Sequence, residues 1–195
     1  MTSSPPERAS GPSSEVVVRE LRWSDFDAIR DTYYLLYEER EVQKDIGITL
    51  FDSRPSHENE TDWFAGLYRH VITGTTIVVV AERDGQAIGH CTVRCLAPSG
   101  SSEAAHVGEL GILVHRDHRG TGVGRALLTA ALRQCRGKFE IVRLSVFSVN
   151  QRARRLYEEF GFVYIGTVPR AVHRGDRYLD EDLMFLDLGR AEANR

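Results

Sequence analysis

Between residues 106 and 136 the chain passes from an apolar strand, through His115-Arg-Asp-His118, into Arg119-Gly120-Thr121-Gly122-Val123-Gly124. It then continues as the amphipathic run Arg125-Ala-Leu-Leu-Thr-Ala-Ala-Leu132. Glycines at alternate positions let a backbone bend sharply and turn successive N–H groups towards one point. The first N–H groups of the following helix lack internal partners, and the macrodipole makes that end partly positive. The segment is therefore a candidate phosphate or pyrophosphate site, with Arg119 at its edge as an added cation. An ordinary strand–turn–helix joint is the plainer reading, but such a joint does not need glycines at 120, 122 and 124.

Two familiar phosphate folds do not fit. A P-loop needs Gly-x-x-x-x-Gly-Lys-Ser/Thr, and no lysine follows Gly124. A dinucleotide fold places Gly-x-Gly-x-x-Gly behind the first strand, with an acid ending the next. Here the spacing is Gly-x-Gly-x-Gly, late in the chain, and the next strand ends near Phe147 without an acid.

Length and composition narrow the class. A chain of 195 residues suits one domain with a sizeable core. Hydrophobic residues make up 42% and charged residues 27%, as in ordinary globular proteins. A formal net charge of −3 gives no broad electrostatic case for nucleic acid or an anionic membrane. No apolar run approaches the ~20 residues that span a bilayer. Residues 1–14 are Pro/Ser-rich, without the apolar stretch of a secretory signal, and read as a disordered tail. The expected domain spans residues 15–188, followed by a short tail over 189–195, in a cytoplasmic setting. Cys91 and Cys95 fall on one face of a strand, ~13 Å apart, beyond the ~7 Å that a disulfide allows. With Cys135 they read as reduced thiols. His115, Asp117 and His118 invite a metal reading, but no matching ligands occur elsewhere, so no metal is expected.

Periodicity and turn signals predict the remaining elements. A first strand covers 15–22. Ser24 and Asp27 form a capping-box start for a helix with Phe26, Ile29, Tyr33, Leu36 and Tyr37 on one face. A second helix follows over 57–71 with Trp63, Leu67 and Val71 on its apolar side. Strands over 75–83 and 86–97 flank an Asp84-Gly85 hairpin turn. A strand over 106–115 feeds the glycine turn, and a helix runs over 122–136 towards Gly137. Then come a strand over 140–147, a helix over 150–160, and strands over 162–168 and 178–188. The order β-α-α-β-β-β-α-β-α-β-β is α+β, with hairpins and crossovers in one sheet.

The Arg119-Gly120-x-Gly122-x-Gly124 segment after Leu113-Val114 resembles the acetyl-coenzyme A pyrophosphate loop of the Gcn5-related N-acetyltransferases (GNAT). Asn150-Gln-Arg-Ala-Arg-Arg-Leu-Tyr157-Glu-Glu-Phe-Gly161-Phe162 is similar to the same family's second signature. The resemblance covers roughly residues 15–188, most specifically 106–163. It implies an α/β/α-layered acyltransferase fold with a mixed, mostly antiparallel sheet. It also implies acetyl-coenzyme A as acyl donor, an amine acceptor in a small molecule or a protein, and direct transfer in a ternary complex. A homodimer is compatible with it.

Carried over residue by residue, the resemblance places pantetheine against backbone groups of Ile112, Leu113 and Val114, where the strand splays from its neighbour at a bulge. It assigns the pyrophosphate to amides of Arg119, Gly120, Thr121, Gly122, Val123, Gly124 and Arg125, and an oxyanion donor to an N–H near Leu113. Tyr157 is the candidate acid. A phenol of pKa ~10 held nearby can protonate a departing thiolate of pKa ~8.5. Ala153, Leu156, Tyr157 and Phe160 also form a core stripe, so Tyr157 has a packing reading, and the Asn…Tyr spacing favours catalysis. Asn150 is both a cofactor candidate and a preferred N-cap. The base is less determined. Some family members carry a Glu five residues before the Asn, where this chain has Ser145. Glu109 is the candidate chosen, with His106 and a water chain as rivals. Acceptor specificity is expected from the first two helices, near Glu38, Glu39, Glu41 and Asp45, and from His173-Arg-Gly-Asp176-Arg-Tyr178. Two alternatives stand beside this reading: a non-catalytic acyl-coenzyme A sensor on the same fold, and an enzyme that transfers a longer acyl chain.

Overall fold

The computed structural model describes residues 15–42, 48–97 and 103–189. The expected tail over 1–14 lies outside the described residues, as does Asp45. The elements are β1 (Val17–Glu20), α1 (Phe26–Val42), α2 (His57–Ile72), β2 (Thr76–Arg83), β3 (Gln86–Cys95) and β4 (Val107–Val114). After these come α3 (Val123–Cys135), β5 (Ile141–Phe147), α4 (Gln151–Glu159), β6 (Val163–Arg174) and β7 (Arg177–Asp187). Their order is the predicted one, and they form a 7-stranded sheet ordered β1-β2-β3-β4-β5-β7-β6. Every pairing is antiparallel except β4 with β5.

Alternation along the strands splits the side chains into two cores. Cys91, Val93, Leu110, Val142, Leu144 and Val146 face α3, whose Leu127, Leu128 and Ala131 are fully buried. Val78 and Val80 face the other way, onto α1 and α2 around Phe64. Leu36 of α1 covers Leu113 of β4, with Tyr33, Ile48 and Leu50 packed beside them.

Two local expectations are corrected. The start of α1 is not capped by Ser24 and Asp27. A short 3-10 turn over Trp23–Asp25 precedes it, and the Asp25 carboxylate accepts the Arg22 N–H at 2.8 Å. Arg19 donates to both Asp25 oxygens at 2.7 and 2.8 Å, and that ion pair fixes which acid caps. The second correction is β6, which extends to Arg174 rather than ending at Val168. Pro169 lies within it, where a proline ordinarily argues against a strand. Because β6 is the sheet's edge and its register slips between Val168 and Val172, no ladder bond is required of Pro169.

Asp182 of β7, only 2% exposed, joins this end of the sheet to α4. Its oxygens accept from Ser148 Oγ and Thr167 Oγ1 at 2.7 Å each and from Arg154 Nη1 at 2.8 Å. Burial pushes the carboxyl up, but the hydroxyls and the guanidinium outweigh it and hold it below the usual carboxylate range. Ser148 leads into Asn150, and Arg154 is one turn before Tyr157, so Asp182 fixes both ends of the segment carrying them.

Candidate active site

The parallel contact between β4 and β5 is short. It pairs Val107, Gly108 and Glu109 with Ile141, Val142 and Arg143 and goes no further. Beyond Glu109, β4 stays on β3 in unbroken register from Gly108 to Val114, while β5 continues beside β7. A gap therefore opens between β4 and β5 from Leu110 onwards. The bulge implied by the resemblance is absent from the β3–β4 register; the splay arises where the parallel pairing ends.

The ladder's parity decides which backbone groups face this gap. His115 N–H donates to Ile88 O at 2.9 Å, and Leu96 N–H donates to Val107 O at 3.1 Å. In an antiparallel ladder only alternate residues exchange bonds with the partner strand. In this register Glu109, Gly111 and Leu113 point their N–H and C=O groups at β3. Leu110, Ile112 and Val114 point theirs at the gap. Of the three residues expected to meet pantetheine, Ile112 and Val114 thus present backbone to the gap, whereas Leu113 presents its side chain to Leu36.

At the open end of the gap the chain turns through Gly120 (φ 84°) and Gly122 (φ 90°), in the left-handed region that other residues resist. Gly122 is the N-cap of α3, and the first helical bond runs from Ala126 N–H to Gly122 O at 3.0 Å. The Arg119 N–H is engaged by Arg116 O at 3.3 Å. Among the described residues, no hydrogen bond within the chain engages the N–H groups from Gly120 to Arg125. This run of unsatisfied donors at a helix start suits an anion. Gly124 contributes through packing as well. A Cβ there would sit 3.3 Å from Leu156 Cδ2, so its small size lets α3 approach α4.

The cations around the loop are mostly engaged. Arg119 donates to both oxygens of Glu39 at 2.7 and 3.1 Å and to Val114 O at 3.0 Å, tying α1 to the loop. Arg125 is paired with Glu159. Arg116 lies 3.8 Å from Glu38. His115 and His118 lie 5.7 Å apart between ring centres, and His118 meets Arg83 at 3.2 Å. Burial, then Arg83, pushes the His118 pKa down. Among the described residues, no cluster of His, Cys, Asp and Glu is arranged to hold a metal.

Tyr157 lies on the α3-facing side of the sheet and is 6% exposed, its ring tilted against Phe162 at 5.8 Å. Burial, with Cys91 adding to it, pushes the phenol pKa well above its ordinary value, so the group stays protonated at neutral pH. Its hydroxyl makes no hydrogen bond among the described residues, yet it is not one of the polar atoms sealed from solvent. Asn150 caps α4 by accepting the Ala153 N–H on Oδ1 at 3.1 Å, and its amide nitrogen makes no bond among the described residues.

Glu109 sits on the last paired rung of β4 and β5, on the opposite sheet face from Tyr157. Arg94 reaches it at 3.1 Å and Arg143 at 3.3 Å from the two neighbouring strands. That face of β5 is open, since Arg143 and Ser145 are both exposed. A cleft of about 370 Å³ lies between the end of α1, the segment after it and the β6–β7 hairpin, lined by Arg40, Leu50, Asp52, His173, Arg174 and Asp176, among others. Leu50 packs towards Leu113 of β4, and the Arg174 guanidinium lies 5.2 Å from the centre of the Phe147 ring at the end of β5. The cleft is thus built from the acceptor-specificity segments that the sequence indicated and lies beside the ends of β4 and β5. Of the two arginines that line it, Arg174 lies within the expected His173–Tyr178 segment, whereas Arg40, near the end of α1, was not among the residues the sequence indicated. A single arginine near the end of a helix carries no periodic signal of its own.

The Acetyltransferase (GNAT) family pattern matches residues 18–162. The L-amino acid N-acetyltransferase AaaT of Escherichia coli K12 is 27% identical over 172 residues, covering 86% of this chain and 94% of AaaT. The L-amino acid N-acyltransferase MnaT of the same organism is 29% identical over 139 residues, covering 70% of this chain and 77% of MnaT. In fold, the chain is similar to an N-acetyltransferase from Staphylococcus aureus Mu50, with a TM-score of 0.76 at 20% identity over 90% of this chain and 99% of that one. It is also similar to yncA of Salmonella typhimurium, solved with its cofactor acetyl-CoA, with a TM-score of 0.72 at 22% identity over 89% and 94% of the two chains. With a splayed β4–β5 pair, an anion-ready glycine loop and a family match over most of its length, the chain belongs to the GNAT family of acetyltransferases, whose acyl donor is acetyl-coenzyme A.

Proposed function

We propose that the protein acetylates the primary amine of a small zwitterionic acceptor, an amino acid or a close relative, by direct transfer in a ternary complex. The observation that carries this reading is the cleft's mixed charge: Arg40 and Arg174 line it together with Glu41, Asp52 and Asp176. Guanidinium groups suit an acceptor carboxylate, and carboxylates suit its ammonium. The L-amino acid specificity named for AaaT and MnaT supports the same class.

In this reading acetyl-coenzyme A supplies the activated acetyl thioester, and the chain's residues hold and polarise it. Free amides from Gly120 to Arg125 take the pyrophosphate, and Asn150 offers its unused amide to the pantetheine arm. Gap-facing groups of Ile112 and the N–H of Val114, whose carbonyl is held by Arg119, pair with that arm on either side of Leu113, and an N–H there meets the developing oxyanion. Tyr157 delivers a proton to the leaving thiolate. Glu109 accepts the proton of the incoming ammonium. For that, one of its two arginines must swing away, and both are exposed side chains able to do so. Direct transfer is supported by the thiols. Cys91, Cys95 and Cys135 are all buried, and burial pushes the Cys135 pKa up to about 12, so no thiolate is at hand to carry the acyl group.

Release of free coenzyme A thiol, followed with the full panel of L-amino acids, short peptides and polyamines, tests the acceptor class. The expected result is activity with one or a few amino acids and little with polyamines. Activity confined to peptides or polyamines would overturn the zwitterion assignment.

A further inference from the structure

Arg152, in the first turn of α4, belongs to none of the roles above, yet its guanidinium lies against the glycine loop. A methyl group built on Gly120 would meet Arg152 Nη2 at 2.5 Å and Cζ and Nη1 at 3.3 Å. Gly120 is therefore held to glycine by its positive φ, and the end of the Arg152 side chain occupies the place where a side chain would stand. Such close packing of a cation on a loop of free N–H groups adds full charge to partial charges of the same sign. With no anion present that arrangement is unfavourable, since like charges in proximity repel.

The neighbouring cations sharpen the point. Arg119 is held bidentately by Glu39, Arg125 is paired with Glu159, and Arg116 lies near Glu38. Arg152 makes no hydrogen bond or ion pair among the described residues. Arg155, one turn further along α4, is likewise exposed and unpaired among them, but the atoms nearest the Cβ position of Gly120 all belong to Arg152.

We propose that Arg152, rather than the side chain of Arg119, supplies the charge that clamps the cofactor's pyrophosphate from the α4 side of the loop. This rests on the loop being the acetyl-coenzyme A pyrophosphate site. The Arg119 side chain in turn serves as a tie that holds α1 over the loop. A guanidinium fits this role because its planar fork offers paired donors to phosphate oxygens. The second signature segment thereby contributes to both ends of the cofactor, through Tyr157 at the thioester and Arg152 at the phosphates.

Calorimetric titration of the full-length protein with acetyl-coenzyme A, for wild type, Arg152→Gln and Arg155→Gln, tests this. Arg152→Gln should weaken binding roughly tenfold, the scale of a lost charge-assisted hydrogen bond, and flatten the dependence of affinity on salt. Arg155→Gln should stay within about twofold of wild type, as expected for a solvated charge not touching the ligand. Repeating the titrations with dephospho-coenzyme A, which keeps the pyrophosphate but lacks the 3′-phosphate, should give the same loss for Arg152→Gln. Equal effects of the two substitutions, or no effect of Arg152→Gln, would overturn the assignment. A loss that vanishes with dephospho-coenzyme A would overturn it too, by moving the guanidinium to the 3′-phosphate. Failure of the wild type to bind either ligand would instead strike at the loop assignment itself. A thermal melt of Arg152→Gln that matches wild type keeps the comparison free of folding effects.

Discussion

Replacing Tyr157 with phenylalanine should lower single-turnover acetyl transfer about 10²-fold, the scale of a lost general acid. The substitution keeps the ring, its contact with Phe162 and its place among the buried side chains. The hydroxyl has no hydrogen bond among the described residues, so its removal should leave the melting temperature within a degree or two. Cofactor affinity should be unchanged. The chemical step must be isolated, because slow product release at steady state hides a loss in chemistry. Normal single-turnover rates in the phenylalanine variant would reduce Tyr157 to a core residue and move the proton to solvent or another side chain.

Gly122→Val should weaken acetyl-coenzyme A binding about 10²-fold, as expected if two charge-assisted hydrogen bonds from the loop are lost. The cause is conformational. A Cβ at Gly122 meets nothing within 4 Å, so the protein has room for the side chain, but φ is 90° there. A β-branched residue resists that region at a cost of ~1–3 kcal/mol and would pull the loop's N–H groups out of line. Gly122→Asn, which tolerates the left-handed region, should retain most of the affinity. Gly124→Val is a poorer probe, because its side chain would press on Leu156 and disturb α4 as well as the loop. Calorimetry on all three separates these effects. Full affinity in a folded Gly122→Val protein would remove the pyrophosphate from this loop.

Much of this organisation is legible in the sequence, for local physical reasons. Asp84-Gly85 closes its hairpin with both residues at positive φ, 52° and 77°, as the dipeptide signals. Gly137 ends α3 at φ 75°, as a glycine after a helix should. The strand–loop–helix around Gly122 and the Asn150 cap carry their signals within a few residues. What is not legible depends on distant partners. The Asp25 carboxylate, rather than Ser24 with Asp27, secures the backbone at Arg22 ahead of the first helix because Arg19 on β1 holds it. The strand β6 survives Pro169 because it is the sheet's edge, a fact of topology rather than of local sequence. The Arg119 side chain is bound by Glu39, 80 residues earlier in the chain. Gap-facing parity on β4 follows from its register with β3, which no residue type encodes. The same holds for Arg152, which lies inside a motif segment but touches Gly120 only once α4 has packed beside the loop.

Initial-rate kinetics with acetyl-coenzyme A and the best amino-acid acceptor, both varied, test the central claim most directly. Direct transfer within a ternary complex predicts double-reciprocal lines that intersect, with one coenzyme A released for each N-acetylated product. Parallel lines would mean that an acyl-enzyme forms before the acceptor binds. They would contradict a site whose described cysteines are all buried and whose chemistry is assigned to the gap between β4 and β5.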